Sequence, residues 1–137
     1  MFNHFEPSLM KFMRDLQNNN NRDWFNDHKQ QYEDHVRSPA LAFIEQMDQW
    51  IRLISPHYEA SPKKMGGSLM RVYRDVRFSK DKSPYKTNVG IQFRHEVGKD
   101  VHAPGFYLHI AADDIFLGVG TWRPDRDSLA AIRDHIV

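Results

Sequence analysis

The spacing of apolar residues changes once along this chain, and that change limits the fold more than any single motif. In the first half the period is three and four. Leu9, Phe12, Met13 and Leu16 recur at helical spacing behind Pro7, a residue suited to a first helical turn. The asparagine run at 18–21 stops this helix, because Asn tolerates left-handed backbone and bonds its own main chain. A second helix is predicted over "RDWFNDHKQQYEDHV", with Trp24, Phe25, His28, Tyr32 and Val36 on one stripe. Ser38 caps a third, with Pro39 at its first position and Leu41, Ile44, Met47, Ile51 and Ile54 along it. Residues 57–67 read as a loop ending in Gly-Gly. Beyond it the period is two: Val89, Ile91 and Phe93 alternate with polar or small neighbours, as do Phe106, Leu108 and Ile110. "IFLGVGTW" is a further extended run, and "HEVGKD" and "AADD" supply the turns. Helices first and closely linked strands afterwards predict an α+β fold, with N-terminal helices packed on a mainly antiparallel sheet.

The length, 137 residues, fits a single domain over 1–137, and 40% hydrophobic content can fill its core. With no cysteine, disulfides, thiolate metal sites and a Cys nucleophile are excluded. No basic, apolar leader opens the chain and no long apolar run crosses a membrane, so the reading is a cytoplasmic protein without a membrane partner.

Net charge is +1, yet residues 63–86 hold eight basic residues against Asp75 and Asp81, a surplus of six. A charged ligand responds to such a local field rather than to the total. "LMRVYRDVRF" (69–78) fits helix or strand; following Gly-Gly and leading into "NVGIQF", it is read as a strand. Met70, Val72, Val76 and Phe78 then share the apolar face with Arg74, which must be paired there because an unpaired buried charge is costly. "SKDKSPYKT" follows as a loop, where Asp81 can bond its own main chain two residues on.

Two roles compete for this segment. Arg71, Arg74, Asp75, Arg77, Asp81, Lys82, Tyr85 and Lys86 are the candidate ligand-binding residues, converging on a small anionic ligand bearing phosphate or carboxylate. Alternatively, the arginines and aspartates form an internal salt-bridge network in a non-catalytic interaction or structural module, with outside acids such as Glu96, Asp113 and Asp114 completing the balance. Nucleic acid is a weaker candidate partner: Tyr73, Phe78 and Tyr85 interleave with the basic residues as a stacking platform would, but no recognised motif is present. No catalytic residue emerges. Asp75 or Asp81 is the only acid/base candidate, and Ser79 or Ser83 lacks an identifiable base. No cofactor is implied, and no metal site: His28 and His35 are too far apart, and His95-Glu96, His102 and His109 match no metal-ligand spacing. Gly118 and Gly120 are read as close packing or a bulge, and Trp24, Trp50 and Trp122 as core.

The pattern Arg71-x-x-Arg74-Asp75-x-Arg77-Phe78, followed by Asp81-Lys82-x-x-Tyr85, resembles the signature of the domain of unknown function 2461 family. "NNNNRDWFNDHKQQYE", "GFYLHI" and "GVGTWRP" are similar to it as well. The resemblance implies a mostly bacterial family, a fold, and no activity, cofactor or catalytic residue. It also implies an N-terminal portion, since family members continue past the helix that starts near Ser128. That helix is capped by Asp125 or Asp127 and carries Leu129, Ile132 and Ile136; its apolar stripe is expected to meet a surface beyond Val137.

Overall fold

Helix α1 spans Pro7–Asn18 and buries the four residues its period selects, Leu9, Phe12, Met13 and Leu16. The computed structural model describes residues 1–96, 103–121 and 123–136. After α1 the asparagine run restarts the chain as well as stopping it: the Asn21 side chain accepts from Trp24 N at 2.8 Å and caps α2, Arg22–Asp27.

The second helix does not run unbroken to Val36. It turns at His28, whose N–H reaches both Trp24 O and Phe25 O, and resumes as α3, Lys29–Tyr32. From there helix continues into α4, Ser38–Ile54, through a π-helical turn at Glu33–Arg37. Ser38 is therefore not a cap. It is in helical conformation (φ −60°, ψ −46°), and its N–H bonds Glu33 O, five residues back.

Two features of the sequence account for the wide turn. Pro39 has no N–H to donate and its ring crowds the preceding turn, which a π turn relieves. The buried residues Tyr32, Val36, Ala40 and Ile44 are also spaced by fours. In a regular α-helix each such step drifts by about 40°, so only a locally widened helix keeps all four on one face.

Among the described residues the sheet has four antiparallel strands in the order β1-β2-β3-β4: Tyr58–Glu59, Asn88–His95, Gly105–Ala111 and Ile115–Gly120. Val89, Ile91 and Phe93 of β2 are buried, as their alternation requires, and the register pairs them with Ile110, Leu108 and Phe106. This face meets α1 and α4 in one core. The fold is α+β, as expected.

Several details differ from the sequence reading. The loop at 57–67 contains β1. The strand expected over 69–78 does not form: Leu69 bridges Ile91 and Tyr73 bridges Tyr85, but no ladder runs on. The cause lies in Asp75, whose carboxylate accepts from the backbone N–H of Arg77 and folds the chain into a turn. Burial still alternates from Arg71 to Arg77, with Val72 inside, but Phe78 is 95% exposed rather than on an apolar face. Trp50 is exposed, whereas Trp24 is half-buried and stacks on His28 at 4.1 Å. A Cβ at Gly118 or Gly120 would meet nothing closer than 4.0 Å, so neither marks close packing.

The helical layer does not extend over β4. Ile115, Leu117 and Val119 continue the core-side face of the sheet and remain exposed. Helix α5, Arg126–Asp134, is capped by Asp125, which accepts from Ser128 N at 2.6 Å, and none of its residues is buried. The expected turn at 97–100 and the readings of His102, Trp122 and Val137 lie outside the described residues. Among the described residues no helix is long and apolar enough to cross a membrane.

Candidate functional site

The asparagine run and the basic loop meet across a pair of side-chain bonds. Asn20 Nδ2 donates to Tyr85 O at 2.9 Å, and Tyr85 N donates to Asn20 Oδ1 at 3.1 Å. One amide thus completes the hydrogen bonding of a residue 65 positions away. Tyr85 is held from the other side as well, stacked on Phe25 at 4.2 Å and buried. Residues 72–74 and 84–86 run antiparallel, joined by Lys86 N to Val72 O and Arg74 N to Pro84 O. The basic loop is the excursion between them.

Both aspartates in the excursion shape it. Asp75 accepts from Arg77 Nε at 2.9 Å and from its terminal nitrogen at 2.7 Å, and these bonds lower its pKa to about 2. Asp81 accepts from Ser83 N and Ser83 Oγ, at 2.9 and 2.6 Å. This is the expected local turn. Those bonds, with Arg74 second, hold its pKa below the ordinary value. Arg74 is half-buried and paired: it donates to Ser83 O at 3.1 Å and meets Asp81 at 3.0 Å. Lys82 reaches back to Val76 O at 2.8 Å, closing the loop on itself.

Between this loop and the segment 20–26 lies an open cleft of ≈ 830 Å³. Arg22, Arg74 and Lys82 line it, together with the amides of Asn20, Asn21 and Asn26. Tyr73, Val76, Pro84 and Tyr85 form its less polar walls, Ser83 adds a hydroxyl, and among the described residues no carboxylate lines it. Arg22 is close enough to Tyr85 to oppose the upward shift that burial gives the phenol.

Of the eight candidate residues, Arg74, Lys82 and Tyr85 line the cleft. Asp81 supports it through Arg74, while the Asp75–Arg77 pair is exposed and absent from the lining. Arg71 and Lys86 do not line it either. Burial first, and the like charge of Arg71 second, hold the Lys86 ammonium below its ordinary pKa. Of the outside acids, Glu96 is engaged with His57 and Asp113 with Arg14. Among the described residues, carboxylates ion-paired with the 63–86 segment are its own Asp75 and Asp81. Of the three aromatics, Tyr73 meets the buried Tyr85 with ring centroids 5.5 Å apart, while Phe78 stands apart under the Arg77 guanidinium, 5.7 Å from its ring.

Sequence reasoning missed Asn20, Asn21, Arg22 and Asn26. Four consecutive asparagines exceed what stopping a helix needs, and that excess was the available signal.

No curated protein and no solved structure matches this chain. The family model described as conserved hypothetical protein (DUF2461) matches residues 8–137, nearly the whole length. With the signature residues Arg74, Asp75, Arg77 and Asp81 all engaged in shaping one loop, the chain belongs to the DUF2461 family.

Proposed function

We propose that the cleft between the asparagine run and the 73–85 loop binds a small anionic ligand bearing phosphate or carboxylate. The carrying observation is that three cations, Arg22, Arg74 and Lys82, come from two distant segments to one cleft whose lining has no carboxylate. Its volume suits a small molecule, for which sites of about 300–1,000 Å³ are usual. Arginine forks recognise oxyanions bidentately, and the asparagine amides can donate further bonds. Arg74 is already oriented by Ser83 O, so ordering it costs a ligand little. Tyr73 and Pro84 offer an apolar contact for the remainder of the ligand.

The second reading, a non-catalytic module stabilised by internal ion pairs, draws support from the Arg74–Asp81 and Arg77–Asp75 contacts. A nucleic-acid partner draws less, because a buried Tyr85 offers no face for stacking.

Thermal shift and NMR titration with inorganic phosphate at low ionic strength separate these readings. Binding is expected to weaken with added salt and to be lost in Arg22→Ala and Lys82→Ala, while Lys64→Ala, outside the cleft, retains it. No response in the unmodified chain would leave the ion-pair module as the better account.

A further inference from the structure

At the β1 edge of the sheet, a single backbone bond follows the last β1–β2 strand pair. Tyr58 opposes His95, and Glu96 N then donates to His57 O at 2.6 Å. This sets His57 against Glu96, and His57 Nδ1 lies 2.8 Å from Glu96 Oε1. Such a contact between two side chains each 59% exposed would by itself be an ordinary surface pair. The third group makes it unusual. Strict alternation would send His95 and Glu96 to opposite faces, but β2 ends at His95 and Glu96 sits in the turn that follows. The His95 ring stacks on that of His57, with centroids 5.5 Å apart and planes 22° from parallel. One donor atom from each of the three residues then falls within 4.8 Å of the others.

We propose that His57, His95 and Glu96 form a binding site for a divalent transition-metal ion of the Zn²⁺ class. Two imidazoles and one carboxylate are a recurrent three-ligand set for such ions, leaving a further position for water. The imidazoles disfavour Mg²⁺ and Ca²⁺, which take oxygen ligands. Around a tetrahedral ion with bonds of about 2.0–2.1 Å, donor atoms stand roughly 3.4 Å apart. One ligand atom from each residue lies within 4.8 Å of the other two, near enough for an ion to draw them to that spacing. The exposed His57 and Glu96 side chains can close the difference by small rotations.

The ion would take the place of the proton between His57 Nδ1 and Glu96 Oε1. His57 would then carry its hydrogen on Nε2, and binding weakens in acid because a protonated imidazole has no lone pair to offer a metal. A bound ion would tie the segment following α4 to the end of β2, across the β1–β2 pair. The sequence gives little warning of the site, because His57 is 39 residues from Glu96 and falls in what reads as a plain loop.

Untagged 137-residue protein titrated with Co²⁺, followed by visible absorption, and with Zn²⁺ by calorimetry tests the site. One equivalent of Zn²⁺ should bind and displace Co²⁺, and acid should release it. Loss of an outer-shell partner commonly costs about 10–100-fold in metal affinity, so removing a ligand in His57→Ala or His95→Ala should cost at least about tenfold. Glu96→Gln should also weaken binding, whereas His135→Ala, just past the exposed α5, should leave it unchanged. Absence of stoichiometric Zn²⁺ binding, or retention of full affinity in both His57→Ala and His95→Ala, would overturn the proposal. So would displacement of Zn²⁺ by equimolar Ca²⁺. The phosphate response of the cleft is a separate readout, so either site can fail without the other.

Discussion

Asn20 treats Tyr85 as a neighbouring strand would, giving one hydrogen bond to its carbonyl and taking one from its N–H. Asn20→Ala removes both partners of a half-buried backbone unit. Leaving such groups unsatisfied costs about 1–3 kcal/mol, so a loss in that range is expected in denaturant melts. Because the same amide lines the cleft, the variant should also weaken the phosphate response. A melt indistinguishable from that of the unmodified protein would mean that water replaces the amide without cost.

Arg74 and Lys80 differ in stability effect although both belong to the basic segment. Arg74→Ala loses a bond to the Ser83 carbonyl in a half-buried setting, with an expected cost of about 1–2 kcal/mol. Lys80 is exposed, and Lys80→Ala should stay within about 0.5 kcal/mol. Parallel urea melts make the comparison; equal small losses would show that the Arg74 bonds are replaced by solvent.

Asp75 predicts a pH effect. Its carboxyl falls from an ordinary 3.8 to about 2, chiefly through the side-chain bonds from Arg77. A depressed carboxyl contributes stability that is fully present above the unfolded pKa and lost as pH falls through the folded one, here between about pH 4 and 2. Carboxyl-carbon NMR should give a midpoint near 2 for Asp75, rising toward the ordinary value in Arg77→Ala. An unshifted midpoint in the unmodified chain would show that the pair is open in solution.

Two glycines should respond differently to a methyl group. A Cβ at Gly67 would lie 2.6 Å from Lys63 O and 2.7 Å from Ser61 O, backbone atoms with little room to move. At Gly90 the nearest atom, at 2.7 Å, is the sulfur of Met70, a flexible and exposed side chain. Gly67→Ala should therefore cost about 1–3 kcal/mol, the usual range for overpacking, and Gly90→Ala less. Thermal melts would reveal the reverse order if the Met70 side chain were the fixed one.

How much of this was legible depended on the distance over which residues act. The stripe Leu9, Phe12, Met13, Leu16 and the alternation Val89, Ile91, Phe93 are short-range patterns, and both elements form where they predict. The turn at Asp81 is shorter-range still. The 69–78 strand is interrupted where Asp75 takes up the backbone N–H of Arg77, which apolar alternation does not register. The cleft was only half visible. Arg74 and Lys82 carry their charge openly, but Arg22 and the asparagines join them through a fold in which 20–26 meets 73–85. His57 reaches His95 and Glu96 only through strand pairing, likewise beyond any local pattern.

The π-helical turn at Glu33–Arg37 makes the long helix one residue richer than a regular α-helix of the same facing. Over the twelve positions from Tyr32 to Ile44, 100° per residue leaves the two about 120° apart, while eleven positions would leave about 20°. A one-residue deletion here should therefore preserve which side chains face inward, whereas an insertion should not. Pro39 is the natural residue to remove, since its absent N–H gives nothing to the helix. Removing Pro39 should yield a chain that folds with its core intact, measurable as a cooperative melt close to the original, while an alanine inserted beside it should lower the melting temperature. The turn thus stores one surplus residue within the helix, a place where the chain is expected to tolerate the loss of a residue without any change of fold.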